Sequence, residues 1–183
     1  MFTWASAPHG MELQQLILAR RSIRRFTSQP VTVEDEIDLL AAACAAPSGQ
    51  NLRPAHFVVV RDPEMRAQLS ELGEWAWMLR GAPLVIAVLG DEDASPFWIE
   101  DCSAAAENIL LAAVGRGLGA VWCAMREEAP GPESAERRCI RLLVTPPGFR
   151  VLCLVGVGHP DELKAPSAGI DIARVSHERF GRE

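Results

Sequence analysis

The sequence predicts an α+β fold, with helices layered on a sheet rather than wound alternately around a parallel one. Three observations carry that expectation. β-Branched or apolar runs suited to strands fall at 56–60, 84–89, 120–124 and 150–157. Helical patterns outnumber these runs and do not alternate with them one for one, as a doubly wound sheet requires. A long Ala- and Leu-rich stretch over 97–116, apolar nearly all round and closed by Gly117 and Gly119, reads as a central helix.

Each element has a local reason. Leu13, Leu16, Ile17 and Arg20 recur at helical spacing, so a first helix is expected to run into the arginine-rich segment that follows. Thr32-Val33-Glu34-Asp35 has the form of a capping box, and Ile37, Leu40, Ala41 and Cys44 repeat at i, i+3, i+4, i+7 until Pro47 stops that helix after Ala46. The Pro, Ser, Gly and Asn content of 47–54 marks a loop feeding the first strand. Asp62-Pro63 supplies an N-cap and a first-turn proline to a helix carried by Met65, Leu69 and Leu72, and Pro83 introduces the second strand. An amphipathic helix is expected over 132–143. The last strand ends in Gly156-Val157-Gly158-His159-Pro160, leaving only a short helical patch near 172–180.

A chain of 183 residues, 49% hydrophobic and 23% charged, can bury one sizeable core, so a single domain over 11–183 is expected after a loose tail at 1–10. No stretch approaches the roughly 20 uninterrupted apolar residues of a membrane span. The first residues lack an export-signal pattern, and no membrane role is expected. Cys44, Cys102, Cys123, Cys139 and Cys153 show no C-x-x-C spacing and lie in apolar or helical surroundings. They read as reduced core residues of a cytoplasmic protein. With the histidines scattered as well, no metal site is expected.

The densest chemical signal is Arg20-Arg21-Ser22-Ile23-Arg24-Arg25-Phe26, which concentrates guanidinium groups around a hydroxyl in a chain of net charge −6. The planar guanidinium fork suits phosphate or carboxylate, and Ser22 adds a short donor. On a helix, Arg20 and Arg24 would share one face and Arg21 and Arg25 the next. A nucleic-acid footprint would raise the isoelectric point, which is about 5.3, so one small anion fits better. The plain alternative is a solvated charge run at a helix end. Gly115-Arg116-Gly117-Leu118-Gly119-Ala120 fails as a dinucleotide loop because it follows a helix and precedes a strand. No G-x-S-x-G, P-loop or H-E-x-x-H pattern is present, so hydrolysis has little support.

In order along the chain, Arg20 to Phe26, Ala46-Pro47-Ser48-Gly49-Gln50-Asn51-Leu52-Arg53-Pro54, the span 101–122 with its Gly117-Leu118-Gly119-Ala120-Val121-Trp122 ending, and 155–160 together resemble the nitroreductase family of flavoproteins. The resemblance runs over about residues 11–180. It implies an α+β fold with a central, mainly antiparallel sheet flanked by helices, an intertwined homodimer, and FMN in a cleft at the dimer interface. It assigns Arg20, Ser22 and Arg24, with Arg21 as a further candidate, to the flavin phosphate, ribityl chain and pyrimidine edge. It assigns Pro47, Ser48, Gly49 and Asn51 to the partner subunit's contribution over the ring, and Cys123, Ala124 and Met125 to the stretch near the reactive nitrogen. No side chain is needed as a dedicated acid or base, since the flavin performs the chemistry; NADH or NADPH donates hydride and a small electron-poor compound takes the electrons. Such a protein acts without nucleic acid or membrane.

Departures from the family pattern bear on substrate choice. Arg53 and Ala55 stand where glutamine and tryptophan are frequent, which makes that wall more cationic or more open. Ala124-Met125 replaces common glycines, with Met125 favoured as core filling. Ser167-Ala168-Gly169 occupies the place of a basic phosphate clamp, so Lys164 is the nearest substitute. Other flavin chemistry on the same scaffold, such as dehalogenation, heterocycle oxidation or breakdown of the flavin itself, stays open, as does non-catalytic flavin binding.

Overall fold

A computed structural model of the chain describes residues 12–127 and 131–181; the tail expected at 1–10 lies outside them. The elements run α1 Leu13–Ala19, α2 Val33–Cys44, β1 Ala55–Val60, α3 Pro63–Ser70, β2 Leu84–Asp91, α4 Trp98–Gly115, β3 Gly119–Ala124, α5 Ala135–Leu142 and β4 Phe149–Gly158. The strands form one sheet in the order β1-β2-β4-β3, and every neighbouring pair is antiparallel. The expected α+β layering around an antiparallel sheet is therefore what forms.

Side-chain caps set these helix starts; those at Thr32 and Asp62 are the ones read in the sequence, while Ser134 starts its helix at Ala135 and not at 132. Thr32 Oγ1 accepts from the Asp35 amide at 3.0 Å, Asp62 Oδ1 from the Met65 amide at 2.8 Å with Pro63 in the first turn, and Ser134 Oγ from the Arg137 amide at 3.2 Å. Each satisfies one of the amides that a helix N-terminus leaves open. Arg116, just past α4, pairs with Asp35 at 2.7 Å and Asp38 at 3.0 Å, tying the end of α4 to α2. The hydrogen bond to Thr32 and the Arg116 guanidinium hold the Asp35 carboxyl below the usual carboxylate range.

The sheet separates two cores. Along β2, Leu84, Ile86 and Val88 face α2 and α4, while Val85, Ala87 and Leu89 face α3, α5 and a 3₁₀ segment at Glu74–Arg80. Strict alternation of that kind is what a strand buried on both faces requires. In β4 it breaks: Leu152 and Cys153 both face the α2/α4 side, because the register against β2 skips Leu152. This is a β-bulge. Helix α4 is the expected central helix, with Cys102, Ala105, Ala106, Ile109 and Ala113 wholly buried. Burying a side chain such as Ile109 stabilises the fold by about 1.5–3 kcal/mol.

Helix α1 has no buried residue, and Leu13 and Ile17 are 71% and 50% exposed, as is Ile37 on α2 at 59%. Both helices form where their periodicity predicts them, with these side chains turned outward. Cys44 is likewise exposed, whereas Cys102, Cys123, Cys139 and Cys153 are buried and all five thiols are free. Among the described residues near the C-terminus, the helical patch expected at 172–180 is a 3₁₀ turn at Ile172–Arg174.

Candidate active site

The arginine-rich segment is extended, not helical. Arg20 leaves the helical region at ψ 119°, so α1 ends at Ala19. Ser22 then bridges Ala120 of β3 in parallel, with the Ile23 amide donating to Ala120 O at 2.9 Å, and Phe26 bridges Pro160. Gly119 makes this approach possible, because a Cβ there would lie 2.7 Å from Ile23 Cγ2. Extended backbone sets Arg20 and Arg24 about 13 Å apart. The shared helical face expected for them is thus replaced by a stretched row of guanidinium groups.

The chain after β4 lies along that row. Asp161 donates its amide to Arg25 O at 2.9 Å and Ser167 to Leu18 O at 2.8 Å. Arg21 donates to Ala165 O, and Lys164 Nζ donates to Ser22 O. Lys164 therefore joins the arginine segment although it is remote in sequence. Arg20 meets Glu107 of α4 at 3.4 Å, and Lys164 meets Glu162 at 3.2 Å. The Arg24 amide donates to Glu162, and that hydrogen bond, followed by Lys164, holds the Glu162 carboxyl below its ordinary range.

Two cavities open along the segment. One, of about 670 Å³, is lined by Arg20, Arg21, Glu107, Ser167 and Gly169. The other, of about 580 Å³, is lined by Arg24, Trp75, Trp77, Trp122, Ala124 and Arg126, together with Cys123 and Met125. The floor of the second is fixed at the exit of β3. Leu152 O, at the bulge, accepts from the amides of both Met125 and Arg126, at 3.0 and 3.1 Å. Met125 is 1% exposed and fills the core, as expected, while Ala124 faces the cavity.

A buried ion pair holds the next residue. Glu136, fully buried at the start of α5, accepts from the Glu127 amide at 2.9 Å and from Arg150 Nη2 at 2.8 Å. Arg150 Nε also donates to Glu136, and Nη2 donates to Glu127 O at 2.9 Å. The Glu136 carboxylate, followed by that of Glu92, pushes the Arg150 guanidinium pKa up.

The loop at 47–53 lies elsewhere. Pro47, Ser48 and Arg53 line a separate cavity of about 210 Å³ with Ala43 and Asp101. The Gly49 amide donates to Asp101 Oδ1 at 2.8 Å, and a Cβ on Gly49 would sit 2.6 Å from Phe97 Cδ2. Gln50, Asn51 and Arg53 all have positive φ, at 52°, 59° and 50°. Left-handed backbone costs Gln50 and Arg53 about 1–2 kcal/mol each, and Asn51 less. Ser48 Oγ offsets part of that by accepting from the Arg53 amide at 2.9 Å, and Asn51 Oδ1 by accepting from Arg53 Nε at 2.9 Å. Within one chain, Pro47, Ser48, Gly49 and Asn51 do not join the arginine cavities.

Sequence reasoning missed Trp75, Trp77, Arg126, and the Glu136–Arg150 pair. The doublet Trp75-Ala76-Trp77, in a chain with five tryptophans, was the available signal for the first two. The ion pair joins residues whose partnership has no local pattern. Among the described residues no His, Cys, Asp or Glu group could hold a metal, and no helix is long and apolar enough to cross a membrane.

Comparison with known proteins places the chain in a family. The Nitroreductase family model covers residues 17–77 and 73–159. A relative from Archaeoglobus fulgidus, provisionally named NADH dehydrogenase/NAD(P)H nitroreductase, is 39% identical over 84% of this chain and 88% of its own length. The NADPH-flavin oxidoreductase of Vibrio harveyi is 30% identical over 92% of this chain and 74% of its own. The solved FMN-dependent nitroreductase of Clostridium difficile superposes with a TM-score of 0.86 at 32% identity, over 90% of this chain and 98% of that one. The chain belongs to the nitroreductase family.

Proposed function

We propose that the protein is an FMN-dependent oxidoreductase that draws electrons from NADH or NADPH and passes them to small electron-poor compounds such as nitroaromatics or quinones. One observation carries the reading: a single extended arginine segment lines both a polar cavity and an aromatic one. That pairing fits a ligand with an anionic tail and a planar head. The donor set fits FMN chemically, since guanidinium forks and a hydroxyl suit a phosphate ester and indoles suit a flat ring system.

Bound FMN supplies hydride acceptance from the nicotinamide and onward electron donation from the same face, a ping-pong scheme. The residues do the rest. Arg20, Arg21, Ser22 and Lys164 grip the phosphate and ribityl chain, and Lys164 takes the place of the missing C-terminal clamp. Arg24 sets a positive charge beside the pyrimidine edge, favouring the negative charge that reduction creates. Backbone at Cys123, Ala124 and Met125 borders the reactive nitrogen, held in place by Leu152 O.

The site is completed by a second copy. The exposed apolar residues Leu13 and Ile17 of α1 and Val33 and Ile37 of α2 give the interface its area. The loop with Pro47, Ser48, Gly49 and Asn51 reaches the partner's FMN, which accounts for its distance from the arginine cavities of its own chain. Four buried free thiols fit a reducing, cytoplasmic setting.

The test is flavin retention. Each charge-assisted hydrogen bond contributes about 1.5–3 kcal/mol, so Arg24→Ala weakens FMN binding by about tenfold to a hundredfold. Gel filtration at low concentration followed by a flavin spectrum reads this. Wild-type occupancy in Arg24→Ala contradicts the assignment. A yellow wild-type protein that anaerobic NADH and NADPH both fail to bleach contradicts the enzymatic role and leaves flavin binding alone.

A further inference from the structure

Strand β3 ends at the aromatic cavity, and the backbone just past it is tied down by groups that lie outside that cavity. Met125 donates to Leu152 O at 3.0 Å, so residues 125 and 152 form a hydrogen-bonded pair. Alternation along the antiparallel register then turns the backbone groups of 119, 121 and 123 toward β4 and those of Ala120, Trp122 and Ala124 toward the opposite edge. Ala120 O agrees with that parity, since it accepts from the Ile23 amide at 2.9 Å. The Ala124 amide lies further along the same edge, where Ala124 lines the cavity.

Strand ends fray unless something beyond the ladder ties them. Here the tie falls on Glu127, whose amide, carbonyl and carboxylate are all engaged. The amide donates to Glu136 Oε2 at 2.9 Å, the carbonyl accepts from Arg150 Nη2 at 2.9 Å, and Oε1 accepts from the Ala135 amide at 3.0 Å. Glu136 comes from α5 and is fully buried, and Arg150 comes from β4 and donates to both of its oxygens. Stability alone does not account for such a pair, because well-packed apolar residues of similar volume often hold a core as well as a buried ion pair does. What the carboxylate supplies and an apolar side chain cannot is an acceptor for one particular amide, three residues beyond Ala124.

We infer that Glu136 is a positioning residue for the proposed reaction: oriented by Arg150, it fixes the stretch 125–127 and, through it, the Ala124 amide beside the reactive nitrogen of the flavin. The inference rests on the FMN reading for its consequence. That nitrogen accepts a hydrogen bond in the oxidised ring and carries its own hydrogen in the reduced one, so a fixed N–H donor favours the oxidised form. Placing a donor to within about 0.5 Å takes support from residues that never touch the ligand.

Two charge-free double variants test this, because they differ only in whether Glu127 keeps its acceptor. E136Q/R150M retains a side-chain oxygen for the Glu127 amide, and E136L/R150M does not. FMN-free protein is titrated with oxidised FMN, and the midpoint potential of the bound flavin is read by anaerobic equilibration with a redox dye. E136Q/R150M is expected to stay close to wild type. E136L/R150M is expected to bind oxidised FMN about tenfold more weakly, the scale of one hydrogen bond, with reduced FMN held nearly as before. For a two-electron couple that tenfold change raises the midpoint by about 30 mV. Equal shifts in the two variants, or none in E136L/R150M, overturn the inference. Amide hydrogen exchange of the wild-type protein, followed by NMR, tests the tie with no substitution at all: the Glu127 amide is expected to exchange as slowly as those of β4, and fast exchange there overturns the inference as well. Any of these failures in a yellow protein sinks the positioning role alone. A wild-type protein that takes up no FMN overturns the flavin reading and this role with it.

Discussion

Replacing Arg150 with methionine removes the counter-charge of the most deeply buried carboxylate in the described structure while keeping most of the side-chain volume. Glu136 is wholly inaccessible, and Arg150 is only 15% exposed along its side chain. The guanidinium meets both Glu136 oxygens, donates to Glu127 O at 2.9 Å, reaches Glu92 at 3.1 Å and lies 5.6 Å over the Trp98 ring. The variant strands a charge in the interior, and breaking a buried pair in this way costs about 3–5 kcal/mol. With a urea dependence of about 2 kcal/mol per molar, the unfolding midpoint falls by roughly 1.5–2.5 M. Against a typical total of about 5–15 kcal/mol, that is a large share of the stability. The double variant Arg150→Met with Glu136→Gln regains part of the loss, because the stranded charge goes with its partner. Urea unfolding followed by far-UV circular dichroism measures all three proteins. A loss below about 1 kcal/mol in Arg150→Met, or a double variant less stable than the single, refutes the reasoning.

Two further outcomes are expected. Val144 closes α5 in a Schellman motif with φ 52°, the Thr145 amide bonding Ile140 O at 3.0 Å and the Val144 amide bonding Arg141 O at 3.2 Å. A β-branched residue is strained there, and since Val144 is 85% exposed little packing is lost, so Val144→Gly raises stability by about 1 kcal/mol in the same urea assay. Burial pushes the thiols of Cys102, Cys123 and Cys139 up to about 12 from an ordinary 9.0. Below pH 9 both folded and unfolded chains hold these protons and nothing is lost. Between pH 9 and 12 only the unfolded chain releases them, so stability falls as pH rises, by up to about 1.4 kcal/mol per pH unit for each thiol. Urea midpoints measured across that range, with serine at Cys102 and Cys139 flattening the slope, check the assignment.

Two helix starts were legible because caps are local: Thr32 and Asp62 act on amides three residues away. The strands were legible because β2 and β4 are buried on both faces and read as unbroken apolar runs. What the sequence hid was non-local. Periodicity shows that Leu13 and Ile17 share a face of α1 and that Ile37 belongs to the apolar face of α2, but not whether those faces meet this chain or another. The bulge at Leu152 depends on register against β2, and the arginine segment is extended because Ser22 pairs with Ala120, nearly a hundred positions away. The cavities along the arginine segment were legible where their residues cluster, at 20–24, whereas the loop at 47–51 lines a separate cavity of its own chain. Lys164 was named only through family likeness, and Trp75, Trp77 and Arg126 were not named at all, because the cavity that gathers them is made by folding.

The central claim is that FMN lies in a site that two copies of this chain build together, its phosphate held by the arginine segment. Light scattering with an absorbance spectrum on freshly purified protein titrated with FMN tests it most directly. The account predicts a dimer saturating at one flavin per chain. A colourless monomer that takes up no FMN at micromolar concentration contradicts it.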